Sequence, residues 1–347
     1  MDVVVVGATG NIGTAVLDAL SADTSVTAIR AVARRPPQQA WPKTTFHAAD
    51  ITVDDLTAVV AGADAVVHLA WLFQPIRRPT VTWKVNVEGS IRLFHAVTRQ
   101  DVPALVVSSS VGAYSPAGGQ EVDESWPTDG MPTAPYAREK AYVERVLDAL
   151  EAAAPQRRVV RLRPGFVFQR SSGRQQLRLF GGPLAPGALL RPGVLPVLPF
   201  PAGLRFQGVH AADLAQAFRL AVTDPSARGA YNVAADPVID GDAVAGALRT
   251  RAVPLPRFLV RAALSAGWGA HLVPVSPSML DMAFGLPLMR TRRARDELGW
   301  VPSRSATDAL AEALAGMAEG VSGSTPPLLG RTGTGAGGRG RDRTGTG

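Results

Sequence analysis

Four valines in a row, Val3 to Val6, open the chain. An uninterrupted apolar run with no polar alternation predicts a parallel strand buried on both faces. The pattern then predicts a helix over 11–21, a strand over 26–33, a short strand over 45–49, a helix opening near Val53, and the strand "ADAVVHLA" over 63–70. A long helix is expected over 80–99, the strand "ALVVSSS" over 104–110, and a helix over 134–153 with Pro155 just beyond its end. The strand "RRVVRLRPG" follows over 157–165. This alternation predicts an α/β fold on a doubly wound parallel sheet.

After Gly165 the rhythm changes. Residues 166–207 are rich in Pro, Gly, Leu and Arg and have weak periodicity. The helix "HAADLAQAFRLAV" (210–222) and the strand "GAYNVAA" (229–235) return the chain to the main sheet, and the remainder to about Met317 reads as mostly helical. The expected organisation is a sheet domain over 1–165 and 208–235, and a smaller, mostly helical substrate lobe over 166–207 and 236–317. A Gly/Thr/Arg tail over 318–347 cannot build a core and is expected to be disordered.

Composition narrows the function classes. The chain has 347 residues, 46% of them hydrophobic, which suits one large domain or two smaller ones. It has no cysteine, which removes disulfides, thiolate metal sites and a cysteine nucleophile. The histidines show no zinc-type pairing, so no metal is expected. The N-terminus runs straight into a strand without a basic leader, and the apolar stretch 183–204 is broken by prolines. A soluble cytoplasmic protein with no membrane partner is expected. Of the formal charge of +7, residues 320–347 supply a net +3 through Arg331, Arg339, Arg341 and Arg343 against Asp342. A solvated tail is the reading preferred over a nucleic-acid partner. Lysine occurs only at positions 43, 84 and 140, so a lysine at a chemically suggestive spacing carries weight.

"VVVVGATGNIG" places Gly7, Gly10 and Gly13 between the first strand and the first helix. Glycine there permits a tight turn and close backbone approach to a pyrophosphate, and the helix N-terminus offers N–H groups and a positive dipole end. A dinucleotide site follows. An acidic residue at the end of the second strand would bind a ribose 2′-hydroxyl. Ala33, Arg34 and Arg35 stand there instead, so two guanidiniums are available for a 2′-phosphate. NADP is therefore preferred, with NAD possible. Asp50 and Ile51 end the third strand, either beside the adenine or with Asp50 capping the next helix.

In "PYAREKAYVERV" (135–146), Tyr136 and Lys140 are one helical turn apart and share a face. That face continues through Val143, Leu147 and Leu150 and should lie on the sheet. A second stripe, Tyr142, Val146, Ala149 and Ala153, is also largely apolar and calls for another partner.

Together these residues resemble the extended short-chain dehydrogenases/reductases, often called the NAD-dependent epimerase/dehydratase family, over about residues 1–317. In order, "GATGNIG", "VVHLA" (66–70), "NVEGSIRLFHAV" (86–97), "VVSSSVGAY" (106–114), "YAREK" (136–140), "RLRPGFVF" (161–168), "VHAADLA" (209–215), "YNVAAD" (231–236) and "ELGWVP" (297–302) resemble that family's landmarks. The resemblance implies an NAD(P)-binding Rossmann fold and a small-molecule substrate. It also implies a homodimer formed through the helix that carries Tyr136. It assigns catalytic places to Ser110, Tyr136, Lys140 and the supporting Asn86. Cofactor contacts are implied for Gly7, Thr9, Gly10, Asn11, Ile12 and Gly13, for Arg34, Arg35, Asp50 and Ile51, and for Leu69 and Ala70. Ser108, Tyr136, Lys140, Pro164, Gly165 and Val167 complete the set.

A free phenol has a pKa near 10, and a neighbouring ammonium is expected to lower it so that Tyr136 can act as general acid or base. Ser110 would hydrogen-bond the substrate oxygen. Val111 and Gly112 stand where sugar-nucleotide dehydratases have an Asp-Glu pair, which disfavours dehydration. Phe206 stands where many nucleotide-sugar members have an arginine, with Arg205 one residue displaced. "WLFQP" (71–75) suits an apolar pocket wall. The expected activity is hydride transfer between nicotinamide and a ketone/secondary alcohol or aldehyde. The alternatives are a nucleotide-sugar 4-epimerase holding NAD tightly, and a cofactor-sensing protein without turnover. His68 and His210 are read as structural.

Overall fold

The computed structural model of the chain describes residues 1–73, 77–182 and 185–329. Seven strands, β1 (Asp2–Val6), β2 (Ala28–Ala33), β3 (Thr44–Ala48), β4 (Ala65–His68), β5 (Ala104–Ser108), β6 (Arg158–Pro164) and β7 (Gly229–Val233), form one sheet. Every pairing in it is parallel, and the order is β7-β6-β5-β4-β1-β2-β3. The direction of winding reverses between β1 and β4, which opens a crevice at the strands' carboxyl ends.

The valine run behaves as its pattern requires. Val3 and Val5 join one core with Leu17 and Leu20 of α1 (Asn11–Ala22), and with Leu214 and Phe218 of a helix over Ala211–Thr223. Val4 and Val6 point to the opposite face and join a second core with Leu93 and Val97 of α2 (Gly89–Arg99). Val143 and Leu147 of α3 (Pro135–Ala153) complete that second core. Two buried faces per strand explain why the run never alternates.

Several expectations shift. The helix expected near Val53 starts only at Thr57, because the Asp50 carboxylate accepts the Thr52 N–H at 2.9 Å and ties those residues into a turn. The long helix over 80–99 holds as Pro79–Trp83, but a π-helical segment, Lys84–Glu88, precedes α2 and contains Asn86. The part beyond Val233 is mostly helical, as expected, but strands were missed on both sides of it. Phe166–Phe168, Phe206–His210 and Ala235–Ile239 make a three-stranded sheet, and Val197–Pro201 pairs with Arg251–Leu255. Both strands of that last pair contain proline, which a two-stranded ribbon tolerates because each strand has an unpaired edge.

The expectation of a disordered tail from residue 318 fails at its start. Helix Ala306–Glu319 ends at Gly320 in the left-handed conformation, φ 65°. The chain then folds back, and Thr325 and Leu328 are buried. Residues 330–347 of that tail, with Gln74 and Pro75 of the expected pocket wall, lie outside the described residues. Among the described residues no helix is long and apolar enough to cross a membrane.

Candidate active site

The loop from Gly7 to Gly10 joins β1 to α1 at the reversal point of the sheet. Gly7 has φ +88°, and a Cβ there would lie 2.5 Å from the Ala70 amide nitrogen. At Gly13 a Cβ would meet the Gly7 carbonyl oxygen at 2.4 Å. Both positions therefore need glycine. Gly10 begins α1 without any side-chain cap, which leaves the first-turn amides around Asn11, Ile12 and Gly13 open to an anion. This cradle fits a dinucleotide pyrophosphate. Leu69, whose N–H donates to the Val6 carbonyl at 2.8 Å, and Ala70 form its opposite wall.

Arg34 and Arg35 follow β2 and are exposed, while Ala33 is buried. Asp50 lies at the end of β3, within the field of Arg34. Burial raises its pKa, but the Thr52 hydrogen bonds and the charges of Arg34 and Lys84 outweigh that, and the net shift is downward. It caps no helix. Ile51 is buried against Gly89, where a Cβ would come within 2.7 Å of it.

The second half of the site forms where β5 ends. Lys140 donates from Nζ to the Ser108 carbonyl at 2.8 Å and stands 3.5 Å over the Trp71 ring. Ser109 turns away toward Glu144. Ser110 accepts the Gly112 N–H at 3.0 Å, and its Oγ and the Tyr136 ring both lie against Gly112. A Cβ on Gly112 would lie 2.9 Å from Cε1 of Tyr136, so glycine lets the ring lie against this turn. Trp71 and Phe73 enclose the same ring, with centroids 5.9 and 5.5 Å away. Gly165, among the expected cofactor contacts, shares a narrow cleft with Val111, Phe206 and Gln207. Pro164 ends β6, and Val167 packs toward the α1 side of the sheet.

The electrostatics correct one expectation. Burial raises the Tyr136 pKa; the Ser110 hydrogen bond opposes this and the Glu139 charge adds to it. Lys140 is not what controls the phenol. Its Nζ is 5.9 Å from the tyrosine ring centroid and is engaged by Ser108 and Trp71. Burial also pulls the Lys140 pKa down to about 7, against the carboxylates of Glu144 and Glu139. His68 is neutral, since burial and the Lys140 charge push its pKa to about 3, and it bonds Ser90 at 2.7 Å. His210 accepts the Ala212 N–H and caps a helix.

A model of the NAD dependent epimerase/dehydratase family matches residues 3–234. The chain belongs to this family. UDP-glucose 4-epimerase of Yersinia pestis is 36% identical over 95 residues, a stretch spanning 26% of this chain and 28% of that protein. The chain thus aligns with well under two thirds of that relative. Two solved structures share the fold. UDP-N-acetylglucosamine 4-epimerase of Methanobrevibacter ruminantium superposes with TM-score 0.68 at 19% identity, covering 92% of this chain and 98% of its own. UDP-glucose 4-epimerase of Thermus thermophilus gives 0.66 at 22% identity, covering 91% and 99%.

Within this epimerase/dehydratase chain, Asn86 is tied to the backbone of Leu72 and to Glu139. Its Oδ1 accepts the Leu72 N–H at 2.6 Å, and its Nδ2 donates to the Leu72 carbonyl at 2.9 Å and to Glu139 at 2.7 Å. Both amide protons are used, and the residue is fully buried. Glu139, which the sequence reading passed over, also accepts from the Thr82 hydroxyl at 2.5 Å. Burial raises its pKa, while the bonds from Thr82 and Asn86 oppose the rise. Through Asn86 it fixes Leu72, and so the flanking Trp71 and Phe73 that hold Tyr136. A buried acid directly before Lys140 was the available signal, since such a residue needs partners.

Proposed function

We propose that this protein is an NAD(P)-dependent oxidoreductase that moves hydride between nicotinamide and a ketone/secondary alcohol or aldehyde, with Tyr136 as general acid and base. The observation that carries this reading is the meeting of Ser110 Oγ and the Tyr136 ring at Gly112 on an aromatic floor, with Lys140 one turn behind. When bound, the dinucleotide supplies or takes up the hydride. The chain's own residues handle the oxygen. Ser110 holds the substrate oxygen by hydrogen bond, and Tyr136 donates its proton as negative charge develops there. Its high pKa keeps it protonated and ready to donate. Phe73, with Met279 and Met282 in the same apolar cluster, and Trp71 beside the Tyr136 ring keep water away and favour an apolar substrate.

NADP is the preferred cofactor because Arg34 and Arg35 stand exposed just after β2, where the sequence has no acidic residue. Arg34→Ala should raise the Kd for NADPH about tenfold and leave that for NADH within twofold. Equal effects in a fluorescence titration would remove the 2′-phosphate contact. The second reading, a nucleotide-sugar 4-epimerase, is supported by the Yersinia pestis relative. A turnover screen with both cofactors over ketones, aldehydes and UDP-sugars tests the two together. Reduction of ketones by exchangeable NADPH supports the first reading; sugar epimerisation on NAD that copurifies overturns it.

A homodimer through α3 is part of this proposal. Tyr142 is 44% exposed and packs at a tilt against Trp83, ring centroids 4.9 Å apart, and Ala149 and Ala153 on the same helix are exposed, which leaves an apolar strip on the surface. Sedimentation at micromolar concentration should give the mass of two chains; a monomer would rule the dimer out.

A further inference from the structure

The family model ends at residue 234, yet the chain's last described segment returns to the glycine loop. Thr325 donates its hydroxyl proton to the Thr9 carbonyl at 2.8 Å, in a fully buried contact. The Thr9–Gly10 peptide is thereby held from both sides, because the Gly10 N–H donates to the Gly7 carbonyl at 3.2 Å. On the other flank Gln169 donates to the Asn11 carbonyl at 2.8 Å. The Thr9 carbonyl of the loop and the Asn11 carbonyl at the start of α1 thus each have a side-chain donor.

The segment that carries Thr325 is itself anchored. Val321 donates to the Gly316 carbonyl at 2.8 Å and accepts from the Arg174 amide at 2.9 Å. Leu328 and Leu329 close a turn on the Thr325 carbonyl at 2.9 and 2.8 Å, and Leu328 is 2% exposed. Helix Ala306–Glu319, which leads into it, packs so tightly on the helix Gly173–Phe180 that a Cβ at Gly173 would lie 2.2 Å from the Gly316 carbonyl carbon. The strap has a rigid base.

We propose that residues 321–329 are a strap for the dinucleotide loop, with Thr325 as a positioning residue that sets pyrophosphate affinity. The proposal rests on the dinucleotide-binding reading above. A carbonyl that swung toward the pyrophosphate would repel it, and the α1 amides act on an anion only while the loop oxygens face away. Thr325 supplies the donor that keeps the Thr9 oxygen outside. Without it, a buried carbonyl is left unsatisfied and the peptide is free to rotate.

The test uses the full chain and three variants: Thr325→Val, Thr325→Ser, and a truncation after Leu329. The Kd values for NADPH, NADH and adenosine are measured well below each thermal midpoint. Thr325→Val should raise the Kd for both dinucleotides about tenfold and leave that for adenosine, which has no phosphate, within twofold. Thr325→Ser should restore dinucleotide affinity, and truncation after Leu329 should leave it unchanged. The strap is overturned if Thr325→Val binds both dinucleotides like the wild type, if adenosine weakens equally, or if the truncation alone produces the loss. A wild-type chain that binds neither dinucleotide refutes the dinucleotide-binding reading itself, which separates the two failures.

Discussion

Tyr136→Phe lowers turnover by about a thousandfold or more and leaves the dinucleotide Kd within twofold. The phenol oxygen is the one group in the cluster that can give a proton to a substrate oxygen beside Ser110. Ser110 already accepts from Gly112, and Lys140 is turned to Ser108 and Trp71. Phenylalanine keeps the ring against Gly112, Trp71 and Phe73, so the fold and the cleft survive. Only the proton is lost. Turnover within tenfold of wild type would place the proton donor elsewhere. A dinucleotide Kd raised in parallel would mean that the tyrosine holds cofactor and is not the acid.

The pH profile sharpens this. Burial holds the phenol above its ordinary value and the ammonium of Lys140 below its own, at about 7. Lys140 loses its charge as pH rises through that region, while Tyr136 stays protonated well beyond it. The chain alone therefore stabilises no phenolate at neutral pH.

The sheet could be read from the sequence because its signal is local. Val3 to Val6 bury on two faces by period 2, and neighbours in sequence determine that. The pair Tyr136 and Lys140 was legible for the same reason, being one turn apart on α3. What sequence could not supply was the direction of each polar group. The Lys140 ammonium could have faced the phenol, and only the placement of Trp71 and Ser108 decides that it does not. Asn86 carried a recognisable motif, but its occupied amide depends on Leu72 and Glu139, the latter 53 residues away. Thr325 lies 316 residues from the carbonyl it bonds, in a segment whose composition suggested disorder. The proline-bearing strands Val197–Pro201 and Arg251–Leu255 were hidden because proline argues against a strand unless both strands are known to be edges.

Glu144→Gln should cost roughly 3–5 kcal/mol of stability at neutral pH. Glu144 is fully buried on α3, four residues beyond Lys140, and receives Arg163 at 2.9 Å, Arg161 at 3.0 Å and the Ser109 hydroxyl at 2.6 Å. Removing its charge leaves two buried guanidiniums under-compensated. Arg161 keeps Asp148 and Glu151 as partners, whereas Arg163 keeps only the Tyr114 hydroxyl and the Glu124 carbonyl, so Arg163 carries most of the cost. Burial alone would raise the Glu144 pKa, but the hydrogen bonds and charge of Arg163, then Arg161 and Ser109, bring it down to about 2. A folded-state pKa below the unfolded value means stability that is present above about pH 4.5 and lost as pH falls toward 2. The difference between wild type and Glu144→Gln, measured by denaturant unfolding, should therefore be largest at neutral pH and shrink on acidification through that window. A difference independent of pH would mean that packing, not charge, is what Glu144 contributes. The same substitution removes a carboxylate that supports the Lys140 charge, so the lysine should titrate still lower. One buried acid then links the stability of α3 to the protonation of the lysine that α3 presents to the site.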